Sequence, residues 1–240
     1  MQLYFIRHGQ SENNLLWQRT GASVGRSEDP ELTSTGRRQA DALAQYLRQT
    51  PPVVGVTRPD NQNVSGFGIT HLYSSLMVRA VNTGIILSRA LSLPLVAWDD
   101  THERGGIYRR DEQTGERIGV AGNNRSYFEE HYPDLVLPGS FGDAGWWSRP
   151  YETAEQALWR AERFLRDLQE RHGDTEDRVA LVSHGGFYNS LIASLLALPA
   201  QDGYWFSLNN AAITRIDFHP DGVGLIYANR VDFLSRELIT

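Results

Sequence analysis

The chain has 240 residues, a formal net charge of −6, no cysteine and no lysine, so all 23 basic residues are arginine. Without cysteine there are no disulfides, no thiolate catalysis, no iron–sulfur cluster and no cysteine-ligated zinc, and without lysine neither a Walker-type phosphate loop nor a pyridoxal Schiff base can form. The acidic balance argues against nucleic acid as a partner, no apolar run is long enough to span a bilayer, and Met1-Gln2 enters a strand without a basic-then-apolar leader, so a cytoplasmic protein with no membrane partner is expected.

Leu3 to Arg7 reads as an apolar strand that closes on His8-Gly9, and Ser11 to Arg19 as the next helical stretch. Ala40, Leu43, Ala44 and Leu47 give the segment from Thr35 to Arg48 one buried helical face, ended by Pro51 and Pro52. Turn-forming residues from Thr57 to Gly68 mark a surface insertion, about 53–69. Ile69 to Tyr73 is a strand, Ser74 or Ser75 is placed to cap a helix running to about Leu91, and Leu95 to Trp98 is a further short strand. The glycine- and arginine-rich stretch of about 99–150 is expected to form a lid. Ala154, Ala157, Leu158, Ala161, Leu165 and Leu168 trace an amphipathic helix, Val179 to Ser183 a strand that closes on His184-Gly185-Gly186, and Phe187 to Leu198 an apolar helix. Ala212 to Phe218 and Val223 to Tyr227 form an edge hairpin. This alternation predicts an α/β fold with a mostly parallel sheet.

In such sheets ligands bind outside the carboxyl ends of the strands. Four strand ends would deliver Arg7 and His8, then Ser74, Ser75 and Arg79, then His102 and Glu103, and finally His184 to one edge. Two imidazoles, two guanidiniums and a carboxylate suit phosphoryl transfer. Arginine forks hold phosphate oxygens, and a neutral imidazole of fixed tautomer attacks phosphorus. A second, protonated histidine would neutralise oxygen charge, and a carboxylic acid protonates the leaving oxygen and then activates water.

Several segments carry a resemblance: Arg7-His8-Gly9-Gln10-Ser11-Glu12-Asn13-Asn14, Leu32-Thr33 with Gly36 and Gln39-Ala40, Tyr73-Ser74-Ser75 with Arg79-Ala80, Val182-Ser183-His184-Gly185-Gly186, and Leu208-Asn209-Asn210. Together they resemble the histidine phosphatase superfamily, in the branch that includes cofactor-dependent phosphoglycerate mutase and fructose-2,6-bisphosphatase. The resemblance implies one domain over residues 1–240, a three-layer α/β/α sandwich with a lid over the strand C-terminal edge, and neither metal nor cofactor. It implies that His8 is the nucleophile and becomes phosphohistidine. Arg7, Arg79 and His184 would hold the phosphoryl oxygens, Ser11, Asn14 and the Gly185 backbone would be further phosphate contacts, and Glu103 would be the proton donor, with Asp99 and Asp100 as nearby alternatives. Gln10 stands where mutases commonly have glutamate.

The expected activity is hydrolysis of a small phosphorylated metabolite through phosphohistidine. The alternatives are a phosphoglycerate mutase and a non-catalytic module that binds a phospho-ligand. Mutases usually follow the glutamate with arginine-histidine-tyrosine-glycine and carry a later arginine-arginine-serine-tyrosine, whereas this chain has Arg104-Gly105-Gly106-Ile107-Tyr108 and Asn124-Arg125-Ser126-Tyr127. Arg104 and Arg125 are candidates for gripping a second anionic group. His71, His131, His172 and His219 are read as structural, His102 as ambiguous, and Trp146, Trp147, Tyr151 and Trp159 as packing for the lid. An exposed edge at the terminal hairpin or the insertion could pair two copies into a homodimer, and the tail from Val231 to Thr240 either folds back or stays mobile.

Overall fold

Leu3, Tyr4, Phe5 and Ile6 are fully buried because their strand lies inside a sheet covered on both faces, the setting that continuous apolar strands require. The computed structural model describes residues 1–49, 60–139, 141–200 and 203–240. Its strands are β1 (Gln2–Arg7), β2 (His71–Ser74), β3 (Leu95–Ala97), β4 (Tyr108–Arg110), β5 (Arg117–Gly119), β6 (Leu135–Val136), β7 (Arg178–Ser183), β8 (Ile213–His219) and β9 (Gly222–Arg230). Its α-helices are α1 (Glu12–Thr20), α2 (Ser34–Arg48), α3 (Val78–Leu91), α4 (Arg125–His131), α5 (Ala154–His172) and α6 (Gly185–Leu195).

The main sheet has the order β6-β3-β2-β7-β1-β8-β9, with β4 and β5 pairing separately. Strands β6, β3, β2, β7 and β1 are mutually parallel, whereas β8 and β9 continue the sheet antiparallel as the expected edge hairpin. Register positions the site. Arg7 pairs with Ser183, so the residues that follow, His8 and His184, leave the sheet side by side.

The alternation of side chains along the strands divides the core in two. Tyr4, Ile6, Leu72, Ala180 and Val182 join Leu43, Leu47, Ala80 and Leu87 of α2 and α3 on one face. On the other, Leu3, Phe5, Val179 and Leu181 join Phe164 and Leu168 of α5 and Phe187 and Leu191 of α6. Each fully buried Leu, Ile, Val or Phe among these stabilises the fold by about 1.5–3 kcal/mol. The result is the three-layer sandwich with a mostly parallel sheet. No helix among the described residues is long and apolar enough to cross a membrane.

Several expectations change. No serine side chain caps α3: Ser75 Oγ does accept the Met77 N–H at 3.1 Å, but the helix begins at Val78, whose N–H goes to the Asp29 carboxylate at 3.1 and 3.3 Å. Of the insertion about 53–69, residues 53–59 lie outside the described residues. The remainder is not simply superficial, since Phe67 is buried edge-on against Tyr4 and Tyr46, and Asn63 Nδ2 donates to Tyr4 Oη at 2.7 Å. The stretch about 99–150 is also more than a lid, because β6 joins the main sheet beside β3. Trp146 and Trp147 do pack it down, whereas Trp159 points outward, 64% exposed. The tail folds back: Gln39 Nε2 donates to the Leu238 carbonyl at 2.6 Å and the Asn210 N–H to the Thr240 carbonyl at 2.9 Å.

Candidate active site

The loop after β1 turns against the start of α2 so closely that only glycine fits on either side. A Cβ on Gly9 would stand 2.4 Å from the Gly36 oxygen, and one on Gly36 would stand 2.1 Å from the Gln10 oxygen. This contact sets the direction of His8. Its Nδ1 lies 2.6 Å from the Gly9 carbonyl, which can only accept, so Nδ1 carries the hydrogen and the lone pair resides on Nε2. Arg79 Nε donates to that Nε2 at 3.2 Å. Burial first, then the Arg79 and Arg7 guanidiniums, hold the His8 imidazole well below its ordinary value and therefore neutral near pH 7.

His184 stands beside it, with ring centroids 5.1 Å apart. Burial, then Arg79 and His8, also hold its pKa well below the ordinary value. The protonated second histidine expected from the sequence is thus corrected to a neutral one, because a buried imidazole beside a fixed guanidinium disfavours a further charge. Ser75 Oγ accepts the Met77 N–H at 3.1 Å and lies 2.8 Å from His184 Nε2, to which its hydroxyl can donate or from which it can accept. His184 Nδ1 is buried with no partner among the described residues.

Two guanidiniums border the imidazoles. Arg7 donates from Nη1 to the Leu208 carbonyl, and its buried Nε has no partner among the described residues. Arg79 is buried and reaches Asp29 Oδ1 from Nη1 at 3.4 Å and Met77 Sδ from Nη2 at 3.0 Å. Burial works against both charges; Glu103 offsets this at Arg7, and Asp29, followed by Glu103, at Arg79.

Glu103 Oε1 accepts the Arg104 N–H at 2.8 Å and the Phe187 N–H, in the first turn of α6, at 3.1 Å. Both contacts fall on Oε1. Gly185 opens the same helix, whose N-terminus with its unpaired N–H groups favours an anion. Of the alternatives, Asp100 is bound by Arg163 at 2.5 and 2.8 Å through Oδ1 and Oδ2, which removes it from the centre. Asp99 Oδ1 accepts the Asp100 N–H at 3.1 Å. His102 is fully buried, with Nδ1 on the Glu103 carbonyl at 2.9 Å and its ring edge-on to Trp147.

Ser11 stands at the head of α1. It caps α1 in a reciprocal box with Asn14, its Oγ donating to Asn14 Oδ1 at 3.0 Å. Asn14 Oδ1 also accepts Asn210 Nδ2 at 3.1 Å, which leaves the Asn14 amide N–H groups for a ligand. Gln10 binds Gln18 at 3.0 Å and Thr33 at 2.8 Å. Arg125 does not reach the centre: Nε donates to the Phe141 carbonyl at 3.1 Å and Nη2 to that of Pro138 at 2.5 Å, because α4 begins against this loop. Arg104 lines a cavity of about 80 Å³ with Asn189, Ser190 and Trp205.

Residues to which the sequence reading assigned no role brace the site. Asp29 stands between Arg79 and the start of α3. Asn210 Nδ2 donates to the His8 carbonyl at 3.1 Å. Arg160, 3% exposed, binds Glu152 through Nε and Nη2 at 2.7 and 2.6 Å and donates from Nη1 to the carbonyls of Asp100 and His102 at 2.7 and 3.0 Å. Glu152 in turn accepts the Gly105 N–H at 3.3 Å, so the pair grips the Glu103 loop on both sides. The only local signal for this pair was the capping box of Thr153 and Gln156, which marks where α5 starts.

A family model described as histidine phosphatase superfamily (branch 1) matches residues 3–59 and 61–230. The chain is similar to the probable phosphoglycerate mutase of Photorhabdus laumondii, 27% identical over 222 residues that cover 91% of this chain and 85% of that protein. It is likewise 27% identical over 238 residues to the Hydrogenobacter thermophilus protein named "Putative phosphoserine phosphatase 2", with 96% of each covered. Among solved structures, that of a mutant phosphoserine phosphatase from Entamoeba histolytica in complex with phosphoserine superimposes with a TM-score of 0.61 at 21% identity, covering 98% of this chain and 99% of that one. At that identity the likeness is one of fold.

Proposed function

The chain belongs to branch 1 of the histidine phosphatase superfamily, and we propose that within it the protein is a hydrolase of small phosphomonoesters that works through a phosphohistidine on His8. The observation that carries this reading is the His8 imidazole itself: neutral, with its hydrogen held on Nδ1 by the Gly9 carbonyl and its lone pair on the nitrogen that faces Arg79.

The Nε2 lone pair attacks phosphorus while the bond from phosphorus to the ester oxygen breaks. Glu103, protonated on Oε2, gives its proton to the departing alkoxide. Arg79 turns its Nε–H from His8 to a phosphoryl oxygen, and Arg7 Nε–H, the Gly185 and Gly186 amides and, with the Ser75 hydroxyl donating to its Nε2, His184 Nδ1–H take the others. Water then attacks phosphohistidine, Glu103 takes its proton, and inorganic phosphate leaves as the lone pair returns to His8. Every group in the cycle ends in its starting state.

Transfer back to a second hydroxyl, as in a mutase, would be served by a cationic grip on the rest of the substrate. Lysine is absent, and Arg125 is occupied by backbone carbonyls, which supports hydrolysis. The test is phosphate release from phosphoserine, 3-phosphoglycerate and p-nitrophenyl phosphate in EDTA, beside His8→Ala and an assay of 2- and 3-phosphoglycerate interconversion. Turnover that survives chelation and vanishes in the variant is expected. Interconversion exceeding phosphate release would establish the mutase instead.

A further inference from the structure

His71 opens β2, His172 closes α5, and Asp177 immediately precedes β7. One ligand atom from each lies within 4.8 Å of the other two. Asp177 Oδ2 is 2.8 Å from His172 Nδ1 and Oδ1 is 3.8 Å from His71 Nδ1, with the two imidazole centroids 4.6 Å apart. The cluster sits at the N-terminal ends of β2 and β7, whereas His8 and His184 follow the C-terminal ends of β1 and β7, so it is separate from the phosphoryl site.

We propose that His71, His172 and Asp177 bind a divalent transition-metal ion of the zinc class, with water completing the coordination. Two imidazoles and a carboxylate are the donor set that zinc and its neighbours favour. Bonds of about 2.0–2.1 Å in tetrahedral geometry place ligand atoms about 3.4 Å apart; here the three ligand atoms lie within 4.8 Å of one another, and each imidazole is served by its own Asp177 oxygen. Small side-chain shifts close the site.

The surroundings fit the same reading. Tyr73 Oη lies 3.0 Å from His172 Nε2, the outer-sphere contact that orients a ligating imidazole. On ligation the His172 proton passes from Nδ1 to Nε2, where the tyrosine oxygen accepts it. Arg178, next in the chain after Asp177, turns its guanidinium away to the Phe67 carbonyl at 2.9 Å. His71 and Asp177 are 41% and 27% exposed in their side chains, which gives an ion a route in, while His172 is buried and pre-placed.

The test is calorimetric titration of zinc into the purified chain, with cobalt(II) absorption as the geometric probe. His71→Ala, Asp177→Asn and His8→Ala are titrated in parallel, each checked for native circular dichroism. We expect one ion per chain, the visible bands of four-coordinate cobalt, and affinity lower by at least about tenfold in His71→Ala and Asp177→Asn but unchanged in His8→Ala. His71→Ala should also keep its phosphatase turnover. Absence of binding in the native chain, or binding lost in His8→Ala and retained in the other two, would overturn the assignment and leave Asp177 as the acceptor that simply holds His172.

Discussion

The Glu103 carboxylate occupies the space that a Gly186 side chain would fill, for a Cβ there would stand 2.1 Å from Oε1 and 3.0 Å from the Arg104 Cβ. The close approach lets the acid lie on the first turn of α6, where the Phe187 N–H meets it. Gly186→Ala must therefore displace Glu103 while leaving His8 and Arg79 in place. We expect kcat on alkyl phosphates to fall by about 10²-fold, the scale of general-acid catalysis. On p-nitrophenyl phosphate, whose leaving group departs as an anion, the loss should be small. Equal losses on both substrates would remove leaving-group protonation from Glu103.

Arg160 and Glu152 form a buried pair whose charges have no solvent to fall back on. Arg160→Met strands the carboxylate and should lower unfolding free energy by about 3–5 kcal/mol, whereas Arg160→Met with Glu152→Leu should cost less than the single change. Urea denaturation of the three proteins checks this. Because Arg160 also grips the carbonyls of Asp100 and His102, the same variants should lose kcat more than they raise KM. An intact kcat in Arg160→Met would show that the Glu103 loop holds its shape without the clamp.

Asp29 and the buried histidines respond to pH in opposite directions. Burial, opposed by Arg79 and the Val78 N–H, pushes the Asp29 carboxyl up from 3.8 to about 6. Between those values the folded chain holds a proton that the unfolded chain has lost, so this residue lowers stability as pH rises through the window. The difference amounts to about 3 kcal/mol. Asp29→Asn removes it, so the native chain should lose about that much stability relative to the variant between about pH 4 and pH 7. His8, His102 and His184, all held well below their ordinary 6.5, contribute stability that is present above that value and is lost as pH falls through their folded values. Thermal denaturation of both proteins across this range separates the two effects, and parallel curves would contradict the Asp29 assignment.

Arg125 is predicted to be structural. Arg125→Ala removes its hydrogen bonds to Pro138 and Phe141 and should cost about 1–3 kcal/mol of stability. KM should stay unchanged for phosphoserine and p-nitrophenyl phosphate alike. A KM raised only for the substrate with the extra carboxylate would return Arg125 to a role in specificity.

His8 and His184 were legible because each follows an apolar run and is followed by glycine, a pattern that places them at strand ends without any knowledge of neighbours. Arg79 was legible from its first-turn position after the serine pair. Glu103 followed from the short strand ahead of it. β6 escaped notice because two residues carry no periodicity. Asp29 lies in a turn between two helices, fifty positions from Arg79, and no local rule connects them.

Local chemistry in the sequence determined the apolar strands, the helical faces, the imidazole and arginine inventory, and the absence of thiol and lysine catalysis. Those properties depend on residue type and short spacing, which the chain states directly. Tertiary structure alone decided that burial disfavours charge on His184, that Ser11 caps a helix, that Arg125 is spent on backbone carbonyls, and that Arg160 and Glu152 hold the acid loop. Each depends on burial and on contacts between residues far apart in the chain, and desolvation and long-range pairing exist only once the layers have closed.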